Sequence, residues 1–196
     1  MGRAAEIEFD WPGQGLAIDL ADTVLAIRPG VSADLLEDAG RLDRWLELER
    51  PWLRPAGEDA PERLDDFRGL RDSIRTLFFA AARREQLPEA AVRAVNGAAA
   101  AAPFSPRLDA APDGPPRTTT TTTADPTTAA LAEVARSAIE ILGGPDRERL
   151  RVCEAPSCGM FFLASRPKQV WCRQLCGNRA RVARHYHRTK TSRLAT

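Results

Sequence analysis

The sequence predicts a mainly α fold with a few short strands, in which a helical N-terminal domain precedes a small C-terminal treble-clef-like zinc finger. Three observations predict it. Apolar residues keep helical spacing over long stretches between residues 39 and 142. All four cysteines, Cys153, Cys158, Cys172 and Cys176, fall in the last quarter as two short-spaced pairs. Charge is segregated as well. Residues 151–196 hold ten Lys and Arg against one acid, Glu154, a balance of +9, whereas the whole 196-residue chain carries only +1. The preceding 150 residues are therefore net −8, an acidic body ahead of a basic module. We expect domains at 1–147 and 148–196, with 103–127 an irregular or hairpin insertion.

Taken in order, Glu6–Phe9 reads as a short strand and Pro12-Gly13 as a turn. The run Leu16–Leu20 reads as a strand or as the first turns of a helix through Ala26, closed by Pro29-Gly30. Ser32 is placed to cap a helix containing Leu35 and Leu36. A second helix over about 39–48 presents Leu42, Trp45, Leu46 and Glu49, and Pro51 stops it. Pro61 suits a helix's first turn. From there to Gln86, Leu64, Phe67, Leu70, Ile74, Leu77, Phe78 and Ala81 keep the helical period, which makes this the central helix. Pro88 opens another helix, to about Ala101. Thr118–Thr123 is six consecutive threonines. These β-branched residues favour either a hairpin of 106–110 with 118–124 around Asp113-Gly114 or a low-complexity loop. Thr127 or Thr128 caps a helix whose buried stripe is Leu131, Val134, Ala135, Ala138, Ile139 and Leu142, ended by Gly143-Gly144.

The cysteine pattern is Cys-x4-Cys and Cys-x3-Cys separated by thirteen residues. Two thiolate pairs brought together by a loop supply the four tetrahedral ligands that Zn²⁺ prefers. The intervening Gly159–Trp171 stretch has two apolar runs around Ser-Arg-Pro-Lys and predicts a β-hairpin. Acids and Pro12 interrupt the first twenty residues, so no signal peptide is expected and the chain is expected to be cytoplasmic, where disulfides are rare. Neither pair has the Cys-x2-Cys spacing of a redox dithiol. A closed four-cysteine site has no open position for substrate, so one structural Zn²⁺ is expected. Cys172 and Cys176 are placed to share the first turn of a helix. Behind them Arg181, Arg184, His185 and Arg188 form a basic stripe, and Arg173 lies between the two ligands. Arg179 either offsets the charge of the site or reaches a phosphate. Gly177 allows close backbone approach, and Asn178 is placed to bond backbone or sulfur.

Cys176-Gly177-Asn178-Arg179, with Trp171-Cys172 ahead and the arginines to Arg188 behind, resembles the CGNR zinc finger family. In that family the finger ends a chain whose larger N-terminal part is the ABATE domain, described as a stress-induced transcription regulator. Ile18-Asp19-Leu20-Ala21-Asp22-Thr23 resembles the ABATE segment Leu-Asp-Phe-x-Asn-Thr, with Leu20 for Phe and Asp22 for Asn. The resemblance implies a candidate ligand-binding set of Asp19, Asp22 and Thr23 for a small-molecule or protein effector.

Charge and helix pattern point to nucleic acid, above all duplex DNA, as the partner of Arg173, Arg179, Arg181, Arg184, His185 and Arg188. The rival readings are RNA as the partner, or an adaptor in which zinc only folds the finger and its basic face meets an acidic protein. No apolar run reaches the roughly 18 residues of a membrane span. The only histidines, His185 and His187, lie in the finger, which leaves the body without a Ser-His-Asp or Cys-His set, and no enzyme is expected.

Overall fold

Gly15, at φ 117, starts the first element from the left-handed backbone region that glycine reaches without penalty. The computed structural model describes residue 9 and residues 14–28, 31–110 and 114–194, with side chains of the last helix as far as residue 186. The expected strand at Glu6–Phe9, apart from Phe9 itself, and the turns at Pro12-Gly13 and Pro29-Gly30 lie outside the described residues. Helix α1, Leu16–Ala21, is buried at every position. It stops where the Thr23 hydroxyl donates to the Leu20 carbonyl at 2.8 Å, and it does not continue through Ala26. The β-branched residues beyond it instead form strand β1, Val24–Arg28, antiparallel to β2, Val31–Asp34.

Ser32 is therefore a strand residue rather than a helix cap, and the buried Leu35 and Leu36 sit in the link that follows. The cap belongs to Asp38, whose carboxylate accepts from the Arg41 N–H at 2.9 Å and starts α2, Ala39–Glu49. A 3₁₀ turn at Ala60–Arg63 leads into the central helix α3, Leu64–Ala82. Its buried face carries Phe67, Leu70, Ile74, Leu77 and Phe78, and Phe67 meets Trp45 of α2 edge to face at 6.2 Å. Helix α3 ends short of Gln86. The Glu85 N–H returns to the Ala80 carbonyl and the Arg84 N–H to Ala81, with Arg84 itself at φ 59, which is a Schellman closure without glycine. The buried Arg71 of α3 grips both oxygens of Asp34, at 2.5 and 2.9 Å, and fixes the β1–β2 hairpin to the helix.

Helix α4, Glu89–Ala100, packs its alanine face on α3 and on α5, Pro126–Gly143. The cap of α5 is Asp125, which accepts from the Thr128 N–H at 2.8 Å, rather than Thr127 or Thr128. Its stripe also shifts, since Ile139 is exposed and Ile141 buried. The threonine run forms the hairpin: β3, Ser105–Asp109, pairs with β4, Arg117–Thr121, and every side chain on both strands is exposed. Arg54 holds this ribbon to the body, its Nε on Glu133 at 2.6 Å and its Nη2 on the Thr120 hydroxyl at 3.2 Å.

The C-terminal module contributes β5, Leu150–Val152, antiparallel to β6, Phe161–Leu163, then α6, Gln174–Leu194. This differs from the expected hairpin within Gly159–Trp171. The partner of β6 lies before the first cysteine, so the two strands enclose the Cys153–Cys158 loop. Leu150 and Phe161 belong to the same core as α1, α3 and α5.

One buried acid stands apart. Glu49 is fully buried, and neither carboxylate oxygen has a hydrogen-bond partner. Burial, with the charge of Asp19 added, pushes its carboxyl up to about 8. A carboxyl raised in the folded state keeps a proton that the unfolded chain releases, so its contribution to stability falls as pH rises from about 4.5 to about 8. Glu49→Gln is expected to remove that slope and to raise stability at pH 7 by up to about 3 kcal/mol. Urea unfolding from pH 5 to 8 checks it, and an unchanged slope in the variant refutes it.

Candidate metal centre

Cys153 follows β5 directly, and its N–H donates to the Met160 carbonyl at 2.8 Å as the chain turns back. The loop between Cys153 and Cys158 reverses tightly, with Ser157 at φ 57 and Gly159 at φ 72. It places two thiols on the inner side of the β5–β6 pair. The second pair straddles the start of α6, with Cys176 in its first turn and Cys172 two residues before it. Their sharing of one helical turn is thus only partial. Gly177 sits against Trp171, where a Cβ would lie 3.1 Å from the indole, so the close approach that the sequence suggested is to this ring.

The four sulfurs all lie within 4.8 Å of one another. The Cys158–Cys172, Cys172–Cys176 and Cys158–Cys176 sulfurs are 3.7, 3.5 and 3.7 Å apart. Disulfides would require about 2.05 Å. A tetrahedron with Zn–S bonds of about 2.3 Å has an edge of about 3.8 Å, so these separations fit a Zn²⁺–thiolate site. Three of the cysteines are buried and Cys172 is half-buried, packed with Met160, Phe162 and Trp171. Protons are shared unevenly among the sulfurs. Hydrogen bonds from Cys158 and Cys172 hold Cys153 far below the ordinary thiol range, at about 2, and Cys158 is pushed up to about 12 by its bond to Cys153. Cys172 is raised by Cys153 and Cys158. A divalent cation releases such protons on binding and replaces the S–H contacts.

The surroundings answer two open questions. Arg179 Nη2 donates to Cys176 Sγ at 3.3 Å, so its guanidinium offsets the charge of the thiolates. Asn178 turns away from the sulfurs and accepts from Arg181. Arg181 and Arg184 are exposed, and among the described residues their hydrogen bonds stay within α6, to Asn178 and to the Ala180 carbonyl. His185 is exposed on the same helix. The side chain of Arg188 lies outside the described residues. Arg173 is half-buried and faces the body closely enough for its charge to act on Asp22.

The three residues of the Ile18–Thr23 segment separate. Asp19, almost wholly buried, lines a cavity of about 390 Å³ in the body. Asp22 makes a different contact: its Oδ1 accepts from the Phe161 N–H of β6 at 2.8 Å, and Oδ2 has no partner. Burial pushes this carboxyl well above the usual range, against the bond from Phe161 and the charge of Arg75. Thr23 accepts from Arg71 while donating to Leu20, so both of its hydrogen-bonding roles are internal. The cavity acid missed by motif reading is Glu49. Its signal was an acid seven residues after Leu42 on the apolar stripe of α2.

Residues 14–145 match the ABATE family, whose description reads "Putative stress-induced transcription regulator". Residues 149–189 match the CGNR zinc finger, and the four clustered cysteines are consistent with one zinc site in that finger. No curated protein matches the chain. No described helix is long and apolar enough to cross a membrane.

Two outcomes test this site. Cys158→Ser or Cys176→Ser is expected to unfold the finger and to lower zinc from about one equivalent per chain to a small fraction, read by elemental analysis and near-ultraviolet dichroism. Asp22→Ala strands the Phe161 N–H and is expected to cost about 1–3 kcal/mol in urea unfolding. A variant as stable as the parent would show that the bond contributes nothing.

Proposed function

Because the chain belongs to the ABATE family of stress-induced transcription regulators and carries a CGNR zinc finger, we propose that it acts by binding duplex DNA through the outer face of α6. The carrying observation is that Arg181 and Arg184 are exposed one turn apart and, among the described residues, pair with no acid of the body. In this reading Cys153, Cys158, Cys172 and Cys176 hold one structural Zn²⁺ that fixes the start of α6, and the arginines pair with phosphates. His185 and Arg188 extend the same stripe along the helix. Arg179 supports the contact from the thiolate side, and Arg173 holds the finger to the body more than it reaches outward. A closed set of four thiolates gives no open metal position for catalysis, which favours a regulator over an enzyme. The N-terminal body senses an effector, and the chain acts inside the cell.

The test is an electrophoretic shift series on zinc-loaded protein with duplex DNA, single-stranded DNA and RNA. Duplex binding is expected to weaken with salt, log K falling by about 0.9 for each phosphate neutralised, and Arg181→Ala with Arg184→Ala is expected to lower that slope by about 2. Stronger binding to RNA would favour the RNA reading. No shift on any nucleic acid at low salt would leave an adaptor for an acidic protein as the better account.

A further inference from the structure

The cavity that Asp19 lines is bounded by α1, the end of α2 and the outer side of α5, and several of its walls are left chemically unfinished. Glu49 forms part of the wall with both carboxylate oxygens unpartnered and no exposure to solvent. Asp19 lies beside it, almost wholly buried. Glu140 stands exposed at the edge. A fourth acid, Glu133, is already matched by Arg54, which donates to it through both its backbone N–H and its Nε. Among the described residues the one lining cation is Arg136. Its Nη2 is committed to the Ala99 and Ala102 carbonyls, and its guanidinium carbon lies over Phe104, 4.2 Å from the ring centre. Asp19 accepts from the Gln14 N–H at 3.0 Å. Trp52, more than half exposed, adds an apolar wall at the mouth.

A buried carboxylate with no partner is costly, and proteins keep one where something else completes it. The neighbours of Glu49 do not complete it, because Asp19 repels it and Arg136 is held elsewhere. With the cavity empty Glu49 keeps its proton at pH 7, and a cation arriving from solvent supplies the opposite charge that lets it ionise. The cavity is also too large and too aromatic for a bare metal ion. About 390 Å³ with Trp52 and Phe104 in the wall matches the size and apolar lining of a small-molecule site. The Phe104 ring is already stacked by the guanidiniums of Arg54 and Arg136, each 4.2 Å from its centre, so Trp52 is the aromatic wall left to a guest, and an organic ammonium ion gains from its ring quadrupole as well as from charge.

We propose that this cavity binds a small organic ammonium ion, with the ammonium group seated between Glu49 and Asp19 and its apolar part against Trp52. Arg136 Nη1, buried and unpartnered, supplies a donor for a hydroxyl or carbonyl oxygen on the same guest. The proposal gives the sensing half of the functional reading a ligand class. It rests on that reading only for its biological purpose, because the binding itself stands whether or not α6 meets DNA.

The test is isothermal titration calorimetry on the zinc-loaded full chain at pH 7, with benzylamine and putrescine as cationic probes and benzyl alcohol as the neutral isostere of the first. The ammonium probes are expected to bind at least about tenfold more tightly than the alcohol, the effect of a single buried charge contact. Glu49→Gln, with its fold confirmed by circular dichroism, is expected to lose that preference. Trp52→Ala, a change at an exposed position, is expected to weaken benzylamine more than putrescine. Equal affinity for amine and alcohol, no binding of either amine, or an unchanged preference in Glu49→Gln would each overturn the proposal. A shift assay on DNA with and without benzylamine is read separately, so a failure of DNA binding is not mistaken for a failure of the cavity.

Discussion

The structure depends on the seating of Phe161. This residue follows the first zinc-site loop directly, yet its ring packs edge-on against Phe78 and Phe79 of the central helix at 5.4 and 4.8 Å. Its backbone N–H is taken by the buried carboxyl of Asp22 at 2.8 Å. Arg75 completes the arrangement, its guanidinium 5.6 Å from the centres of both Phe79 and Phe161. One residue of the metal module is thereby held from three sides by the helical body. The finger is anchored through apolar packing and a buried hydrogen bond, and the metal cluster lies just beyond that anchor. Zinc and body are consequently parts of one folding problem: loss of the metal loosens a strand that fills the core, and loss of the core removes the strand that presents Cys158.

Charge follows the same division. Inside the finger, the guanidinium of Arg179 is spent on Cys176 and the charge of Arg173 acts on Asp22, so part of the basic surplus read from the sequence is absorbed. What remains outward is narrower than a count of arginines implies. Arg181 and Arg184 are on the solvent side of α6, and Leu175, Val182 and Tyr186 are exposed along the same helix. A helix with both basic and apolar groups open to solvent is suited to a surface that offers phosphates and something flatter between them.

Much of this was legible in the sequence because it rests on strong local signals. The central helix, α5 and the four-cysteine cluster are given by periodicity and by ligand spacing, which need no knowledge of the rest of the chain. The failures have specific causes. Leu16–Ala21 is buried on all sides, so it shows no period by which helix and strand differ. Ser32 and Asp38 are both good caps, and only the hairpin pairing of Val31–Asp34 decides between them. The β5–β6 pair joins residues on either side of the first cysteine loop, whereas the sequence reading sought both strands between the cysteine pairs. The Asp22 Oδ1 contact with the Phe161 N–H, 139 residues away, is likewise one that no local pattern announces. Glu49 was visible as an acid on an apolar stripe, but only the cavity beside it makes that position meaningful.

Helix α1 has one further consequence. Asp19 and Asp22 are three residues apart, one facing the cavity and the other holding the finger, with a rise of about 4.5 Å along the axis between them. The charge on Asp19 acts on both Glu49 and Asp22. The three carboxyls are therefore coupled through the charge of Asp19, with burial the larger influence on Glu49 and Asp22. A change of charge at the cavity alters the field at the contact with Phe161 without any element having to move.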